Sequence, residues 1–535
     1  MNPLAGIDTH LPALPVLLPL LTAVLLVFAG DGQDSEDPRA AHRAALRARL
    51  VSLVSIGLGL GLALWMVVDA HALGLRVYRM GEWPAPFGIV LVVDRLSALM
   101  VLLTQLVALP VAAYAIGHWD ARGRHFHALL QFQLMGLNGA FVTGDLFNLF
   151  VFFEVLLIAS YVLLVHGHGP ARLRVGVPYV ALNLAASGLF LIGLALLYSV
   201  TGSLNLADIA VRVPEITGTE GALLRVAGLL LLVVFGFKAA LLPLHLWLPA
   251  TYAAASAPVA ALFALMTKVG VYAILRVHGM AFGDQAGESA LLAAPWLLPT
   301  ALLGSLMAVL GAVAAPTLAR MVAWLTVASV GTVLAAVSLH TQAAWSAAIY
   351  YTVHSTLVVA GLFLLAEMLA RQRGEAGDRL SPARALTQPA LLGTLMLVLA
   401  ASMIGLPPLP GFIGKLMILQ ASQGALAPWI WTTVLLVGFL SLLALARAGI
   451  VMFWNVEARA EETALQPERS ASFRPVGAVL ALVLAIVTLS VLASPLKAYT
   501  DAAAAQLADP AGMARAVLGE GAANPVRPYS PEVPR

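Results

Sequence analysis

Long apolar runs, each of about 20 residues and bounded by polar stretches, recur along most of this chain and constrain its fold more than any other feature. A helix needs about 20 apolar residues to cross the hydrocarbon core of a bilayer. Asp, Glu, Lys and Arg make up only 11% of the chain, whereas soluble domains carry about 25%. We therefore expect an all-α polytopic protein in a lipid bilayer, with about 14 transmembrane helices.

The loops between these runs indicate an orientation, because Arg and Lys accumulate in loops on the cytoplasmic side. With the N-terminus outside, 17 Arg lie in inner loops and 5 in outer loops, so both termini are expected outside. The C-terminal tail from Ser494 is rich in Ala and Pro, and we expect it to be loosely ordered. The predicted spans are 11–29, 50–68, 89–117, 126–143, 146–165, 176–200, 224–242, 257–276, 295–315, 318–339, 343–369, 389–421, 428–453 and 473–495.

Pro and Gly interrupt two of the predicted helices. Helix 7 carries VFGFKAALLPLHLWLP at residues 234–249, and helix 12 carries SMIGLPPLPGFIGKLMIL at residues 402–419. Proline removes a backbone hydrogen bond, and in lipid the freed carbonyl needs a partner inside a bundle or along a wet cavity. Broken helices in corresponding positions of two halves are typical of inverted repeats with a transport site near the midplane.

The spacing of five helices between these breaks predicts two inverted five-helix repeats. The N-terminal helices 1–3 would occupy residues 1–125, and the first repeat, helices 4–8, residues 126–276. The second repeat, helices 9–13, would occupy residues 295–453. Helix 14 and the C-terminal tail would follow in residues 473–535.

Four charged residues lie deep in predicted helices, namely Glu154, Lys238, Lys268 and Lys415. Three of the four lysines in the chain are in this group, whereas the 26 arginines mostly occupy loops. A buried Lys can lose its proton, which Arg in practice cannot. Each charge at the bilayer centre costs roughly 2.5–3.5 kcal/mol, so a protonation relay is a better explanation than chance. There are two structural alternatives. The lysines could snorkel to the membrane interface, or a Glu–Lys pair could serve only to set helix register.

Histidines and the other polar residues are weaker signals. His354 lies mid-helix in YYTVHSTLVVAG, a polar seam that suits a proton relay but also a core histidine satisfied by a hydroxyl. His245, at the broken helix 7, is either a relay member or a backbone cap. Asp94, Arg95 and Asp145 lie near predicted helix ends, where we favour structural roles.

Several classes of function are disfavoured by what the sequence lacks. There is no cysteine, so disulfides, Fe–S clusters and zinc thiolates are excluded. Phosphate-loop and dinucleotide fingerprints are missing, and the basic residues are scattered rather than grouped on one face. We expect no cofactor, no metal site, no nucleic-acid partner and no enzymatic activity.

Residues 90–450 resemble the antiporter-like membrane subunits of respiratory complex I, membrane-bound hydrogenases and Mrp-type cation/proton antiporters. The motifs that carry the resemblance are GDLFNLFVFFEVL at 144–156, the helix-7 stretch through residue 276, RMVAWLTVASVG at 320–331 and GLPPLPGFIGKLMIL at 405–419. The chain is most similar to the D-type subunits of the Mrp (Mnh, Sha or Pha) group. The twelfth-helix motif has Lys415 where the related complex I chain usually has a glutamate.

This resemblance implies roles for five residues. Glu154 and Lys238 would form the coupled ion pair of a proton half-channel, and Lys268 would be the central relay lysine. His354 would lie near the connection to the second half, and Lys415 would be the terminal relay residue. The family fold, 14 helices with two inverted five-helix repeats, agrees with the apolar runs.

The resulting hypothesis is a subunit of a monovalent cation (Na⁺ or K⁺)/proton antiporter driven by the proton-motive force. Its partners would be the other subunits of a six- or seven-subunit complex in the bacterial inner membrane. The alternative is a proton-pumping membrane subunit of a complex I-like oxidoreductase or membrane-bound hydrogenase. A third hypothesis is a non-transporting scaffold that anchors partner subunits.

Overall fold

The computed structural model describes residues 9–33, 36–455 and 472–519. Within these ranges the chain forms 19 α-helices and a two-stranded sheet. The first ten helices are α1 (Leu14–Ala29), α2 (Pro38–Ala72), α3 (Arg95–Ala115), α4 (Phe126–Val142), α5 (Leu146–Val165), α6 (Pro170–Thr201), α7 (Leu206–Arg212), α8 (Gly218–Ala239), α9 (Trp247–Ala254) and α10 (Ala257–Arg276). The others are α11 (Ala294–Val313), α12 (Leu318–Val337), α13 (Gln342–Gln372), α14 (Pro389–Ile404), α15 (Pro410–Ala421), α16 (Ala427–Phe453), α17 (Phe473–Val491), α18 (Ala493–Leu507) and α19 (Pro510–Leu518).

The prediction of an all-α polytopic membrane protein is confirmed. In the described part of the chain, 11 helical segments are long and apolar enough to cross a membrane, and α1 and α14 are shorter apolar helices. The count of 14 spans, the pairing of half-helices into interrupted spans and the division into repeats stay predictions.

A β-hairpin precedes α3 and was not expected. Strand β1 (Arg76–Arg79) pairs antiparallel with β2 (Val90–Val93), so the predicted helix from residue 89 begins only at Arg95. The run VLVV in β2 is rich in β-branched residues, which favour strands, and an apolar run alone does not distinguish a buried strand from a helix.

The C-terminal tail is also more regular than expected. Helices α18 and α19 follow α17, and α18 buries one face that includes Thr500, Ala504 and Leu507. This face packs on α3 and α13, so the expectation of a loosely ordered tail is wrong for residues 493–518. Residues 520–535 lie outside the described ranges.

Helices α10 and α13 form the centre of the bundle. Every residue in the most apolar window of α10 is buried, and 89% of that of α13. The two helices pack on each other, and α13 also packs on α12, α14, α15, α17 and α18. Burial on all sides is typical of helices in a bundle core, so the polar residues on α10 and α13 are enclosed by other helices.

The chain leaves helical geometry between α8 and α9, within the stretch VFGFKAALLPLHLWLP at residues 234–249. Ala240 has a positive φ of 58°, and Pro243 follows, so α8 cannot continue. Its free carbonyls find donors, because the Trp247 Nε1 donates to Phe237 O at 3.1 Å and the Leu241 N to Gly236 O at 2.7 Å. The interruption is therefore satisfied inside the protein, as a lipid environment requires.

The interval between α14 and α15 contains the second cluster of Pro and Gly. Gly405 ends α14 with φ 90°, a conformation that glycine adopts without strain. Gly411 allows α15 to pack very closely against Ser402 and His354. A Cβ at this position would lie too close to the Ser402 carbonyl oxygen, and 2.9 Å from the His354 ring. These two glycines bring α15 against both α14 and α13.

Candidate functional site

Glu154 and Lys238 are brought near each other, and each contacts a polar residue of α6. The Lys238 Nζ donates to Asn183 Oδ1 at 3.1 Å, while the Ser187 Oγ donates to a carboxylate oxygen of Glu154. Asn183 and Ser187 are one helical turn apart on α6, so they share a face. This helix face links the carboxylate to the ammonium, and the two charges still interact electrostatically.

Aromatic rings complete the surroundings of Lys238. Its Nζ lies 5.8 Å from the centroid of the Phe153 ring and 5.9 Å from that of Phe237, within the range of cation–π attraction. Only 5% of Lys238 is exposed, so its side chain does not reach the interface. The ammonium is thus held by one amide oxygen and two ring faces.

Lys268 lies on α10, at the centre of the bundle. The residue is completely buried, and its Nζ has no hydrogen-bond partner among the described residues. Snorkelling is excluded by this burial. An unpartnered buried amine is costly, which makes Lys268 the least satisfied of the predicted relay residues.

His354 lies on α13 and contacts the break between α14 and α15. Its Nε2 is 3.0 Å from Ser402 Oγ and 3.1 Å from Ser402 O. Its Nδ1 is buried and unpartnered in the described structure. The ring is within electrostatic range of both Lys268 and Lys415.

Lys415 has a defined structural partner. Its Nζ donates to Ile404 O at 2.6 Å and to Met403 O at 3.4 Å, the last carbonyls of α14. A cation at a helix C-terminus is stabilised by the helix dipole, typically by about 0.3–1 kcal/mol. Lys415, on α15, therefore caps the C-terminus of α14.

The five predicted residues form two groups in the structure. Glu154 and Lys238 are joined through α6, and His354 and Lys415 meet at the α14–α15 break, with Lys268 in electrostatic reach of His354. No hydrogen bond in the described ranges joins Lys238 to Lys268, or Lys268 to His354.

The sequence reasoning missed three partners of these groups, namely Asn183, Ser187 and Ser402. A signal for the first two was available, because they stand four residues apart in an otherwise apolar run. Ser402 directly precedes the Pro and Gly cluster, where a polar residue is expected beside freed carbonyls.

The polar residues expected to be structural have structural partners. Asp94 caps α3 by accepting from Ser97 N at 2.8 Å and pairs with Arg276 at 2.6 Å. Asp145 caps α5 by accepting from Asn148 N at 2.8 Å. His245, for which the sequence left a relay role and a backbone cap open, lies beside Trp324 with 5.7 Å between ring centroids, and its Nδ1 has no partner among the described residues.

Residues 143–443 match the family model described as NADH:quinone oxidoreductase/Mrp antiporter, TM. The chain belongs to this family. The matched range contains all five predicted relay residues and both interruptions.

Named relatives within the family are antiporter subunits of the D type. A Rhizobium meliloti protein, named a probable K(+)/H(+) antiporter subunit of this type, is 39% identical over 474 residues, which is 83% of this chain and 87% of the relative. A Bacillus subtilis protein, named a Na(+)/H(+) antiporter subunit of the same type, is 37% identical over 514 residues, 95% of this chain and 99% of the relative. These names describe transporter subunits rather than enzymes.

Solved structures show the same fold. A chain of the Mrp complex from Dietzia sp. DQ12-45-1b matches with a TM-score of 0.83 at 28% identity, covering 97% of this chain and 100% of that one. A chain of respiratory complex I from Thermus thermophilus matches with a TM-score of 0.76 at 24% identity, covering 93% and 99%. The second likeness extends to the fold alone.

Proposed function

We propose that this chain is the D-type subunit of a multisubunit monovalent cation/proton antiporter, and that protons pass through Glu154, Lys238, Lys268, His354 and Lys415. The antiporter names of the relatives and the likeness to an Mrp complex chain support this assignment. The observation that carries the relay is the burial of Lys238, Lys268, Lys415 and His354 inside the protein.

The contacts suggest how each residue acts. A proton reaching Lys238 gives an ammonium that Asn183 and two aromatic rings hold, while Ser187, one helical turn from Asn183 on α6, holds the Glu154 carboxylate. Movement of the carboxylate toward the ammonium would favour the protonated lysine, and movement away would release the proton. Small shifts of α5 against α6 would therefore control this step.

The second half of the relay passes from the core to the α14–α15 break. Lys268 has no partner among the described residues to hold its proton, and His354 presents a free Nδ1 while Ser402 occupies its Nε2. Lys415 then receives the proton beside the last carbonyls of α14. Because direct hydrogen bonds do not join these residues, water is expected to bridge them.

The setting of the protein follows from the same proposal. The chain would lie in the bacterial inner membrane with both termini outside, and would work with the other subunits of a six- or seven-subunit complex. Residues 126–276 and 295–453 would be the two inverted repeats, flanked by residues 1–125 and 473–535.

Lys238→Met, compared with Lys497→Met, tests the relay. Lys497 is an exposed lysine on α18 that pairs with Asp501 at 2.6 Å, so it controls for loss of a positive charge. In proteoliposomes containing the assembled complex, Lys238→Met should abolish cation-driven proton movement and Lys497→Met should leave it near wild type. Normal exchange by Lys238→Met would refute the relay, and purification with a flavin or Fe–S subunit would favour the redox alternative.

A further inference from the structure

A second set of buried polar residues lies in helices α1, α2 and α4, outside the five-residue relay. The Thr22 Oγ1 donates to Ser55 Oγ at 2.9 Å, the Ser55 Oγ to Gln131 Oε1 at 3.4 Å, and the Gln131 Nε2 to Ser52 O at 3.2 Å. With Asn138 on α4 they form what we call the N-terminal polar seam. All five residues are buried and uncharged.

The face of α4 that carries the seam continues to His127, near the start of the helix. His127, Gln131 and Asn138 lie on one face of this helix, since they are four and seven residues apart. Eleven residues separate the first from the last, which is about 16 Å of helix. At one end His127 Nε2 contacts Asp120 at 3.4 Å, and Asp120 pairs with Arg49 at 2.6 Å. His127 therefore lies on the same face of α4 as the seam, but its ring makes no hydrogen bond to the seam among the described residues.

Proline supplies a free backbone carbonyl at the other end. Pro19 lies inside α1, and because it has no N–H, it leaves the carbonyl of Pro15 without its helical donor. The Asn138 Nδ2 donates to this oxygen at 2.8 Å. The same amide presents its Oδ1 with no partner among the described residues, although only 1% of Asn138 is exposed.

A small cavity lies where these groups meet. Its volume is about 10 Å³, and its polar lining residues are Ser55, Gln105, Gln131 and Asn138. A cavity of this size holds one occupant of about the size of a water molecule. No ionisable side chain is among the described residues that line it.

We propose that this cavity binds one monovalent cation, Na⁺ or K⁺, through the neutral oxygen atoms of its amides and hydroxyl and the Pro15 carbonyl. The inference rests on the proposed antiporter function and adds a cation site to it. Hard cations prefer oxygen ligands, and a carbonyl freed by a helix irregularity is a typical ligand of a transported alkali cation. Protons and the cation would then use separate parts of the chain, the relay and the N-terminal polar seam.

The neutral lining agrees with transport. A carboxylate would hold the cation strongly, whereas conduction requires binding that is weak enough for release. The buried amide oxygen of Asn138 has no donor in the described structure and belongs to a residue that lines the cavity, so it is available as a ligand there.

Asn138→Leu tests the site, with Gln133→Leu as its matched control. Gln133 is a completely buried amide on the same helix whose side chain has no hydrogen-bond partner among the described residues and does not line the cavity. In the assembled complex, Asn138→Leu should raise the half-saturating Na⁺ or K⁺ concentration for exchange about tenfold or more, the effect of losing one bond to a charged group. Gln133→Leu should leave it unchanged. Ser55→Ala, a smaller change, should also raise it if Asn138→Leu fails to assemble.

A second readout is independent of turnover. NaCl or KCl should stabilise the wild-type complex against heat more than choline chloride at equal ionic strength, and Asn138→Leu should reduce this stabilisation while Gln133→Leu keeps it. Unchanged half-saturation and unchanged cation stabilisation in Asn138→Leu and Ser55→Ala would overturn the site and leave a cavity that holds only water. Wild-type complex without any cation-dependent exchange would instead refute the proposed function itself.

Discussion

Replacing Lys268 by methionine should stabilise the protein and abolish transport at once. The Nζ of Lys268 has no hydrogen-bond partner in the described structure and the residue is fully buried. An unsatisfied buried polar group costs about 1–3 kcal/mol, and a charge at the bilayer centre roughly 2.5–3.5 kcal/mol. Methionine has a similar length and no polar head, so Lys268→Met should raise the free energy of unfolding by about 1–3 kcal/mol.

Lys415→Met is the matched comparison, because the same substitution there removes an amine that has hydrogen-bond partners. The carbonyls of Ile404 and Met403 lose the donor that caps α14. Because a buried group without its partner is unfavourable, this loss should lower the free energy of unfolding by about 1–3 kcal/mol. Lys268→Met should therefore be the more stable of the two variants, although both should lose exchange.

Unfolding of the purified complex in mixed micelles, followed by tryptophan fluorescence, measures the stability difference, and proton movement in proteoliposomes measures transport. A Lys268→Met complex that is less stable than wild type would show that the amine has a partner, and the reasoning from burial would be wrong. A stable Lys268→Met complex with normal exchange would remove Lys268 from the relay.

Three further predictions concern other parts of the molecule. Asn183→Leu, which removes the amide oxygen bound by Lys238, should slow exchange about tenfold or more in proteoliposomes, and a rate equal to wild type would exclude this amide from the relay. Gly411→Ala should reduce the free energy of unfolding by about 1–3 kcal/mol through overpacking. Gly449→Ala is the control and should not reduce it, because a Cβ at Gly449 meets nothing within 4 Å. Equal melting temperatures of the two variants would contradict the close packing of α15 at Gly411. Burial by itself raises the pKa of Asp120, but hydrogen bonds from His127 and Arg49 outweigh it and lower the pKa to about 2. Since the unfolded value is about 3.9, this contribution to stability is present above about pH 4 and lost as the pH falls toward about 2; acid unfolding of Asp120→Asn should lack that dependence.

The sequence predicts the class of fold well because a bilayer imposes a strict length and polarity on each spanning helix. The sequence predicts the secondary structure less well where a segment does not form the element that its composition suggests. The run before Arg95 forms a strand, and the Ala-rich segment after Ser494 forms a helix that packs through Ala504 and Leu507. In both cases tertiary packing decides the structure.

The candidate site shows the same limit. Glu154 and the three buried lysines could be identified from the sequence because charge in an apolar run is conspicuous. Which residues they contact could not, because the partners lie on other helices, and the spacing of Asn183 and Ser187 indicates only that these two share a helix face. In the described structure Lys238 contacts Asn183 and Glu154 contacts Ser187, an arrangement set by how α6 packs between α5 and α8.

The central claim is that proton movement through the buried relay is coupled to a monovalent cation. Dissipation of ΔpH should be measured in everted vesicles of antiporter-deficient cells that express the chain with its neighbouring subunits, with Na⁺, K⁺ and Li⁺ added in turn. We predict that at least one cation collapses ΔpH in wild type and none does so in Glu154→Gln. A fully assembled wild-type complex that responds to no cation, or a Glu154→Gln complex that responds as wild type does, would contradict the account.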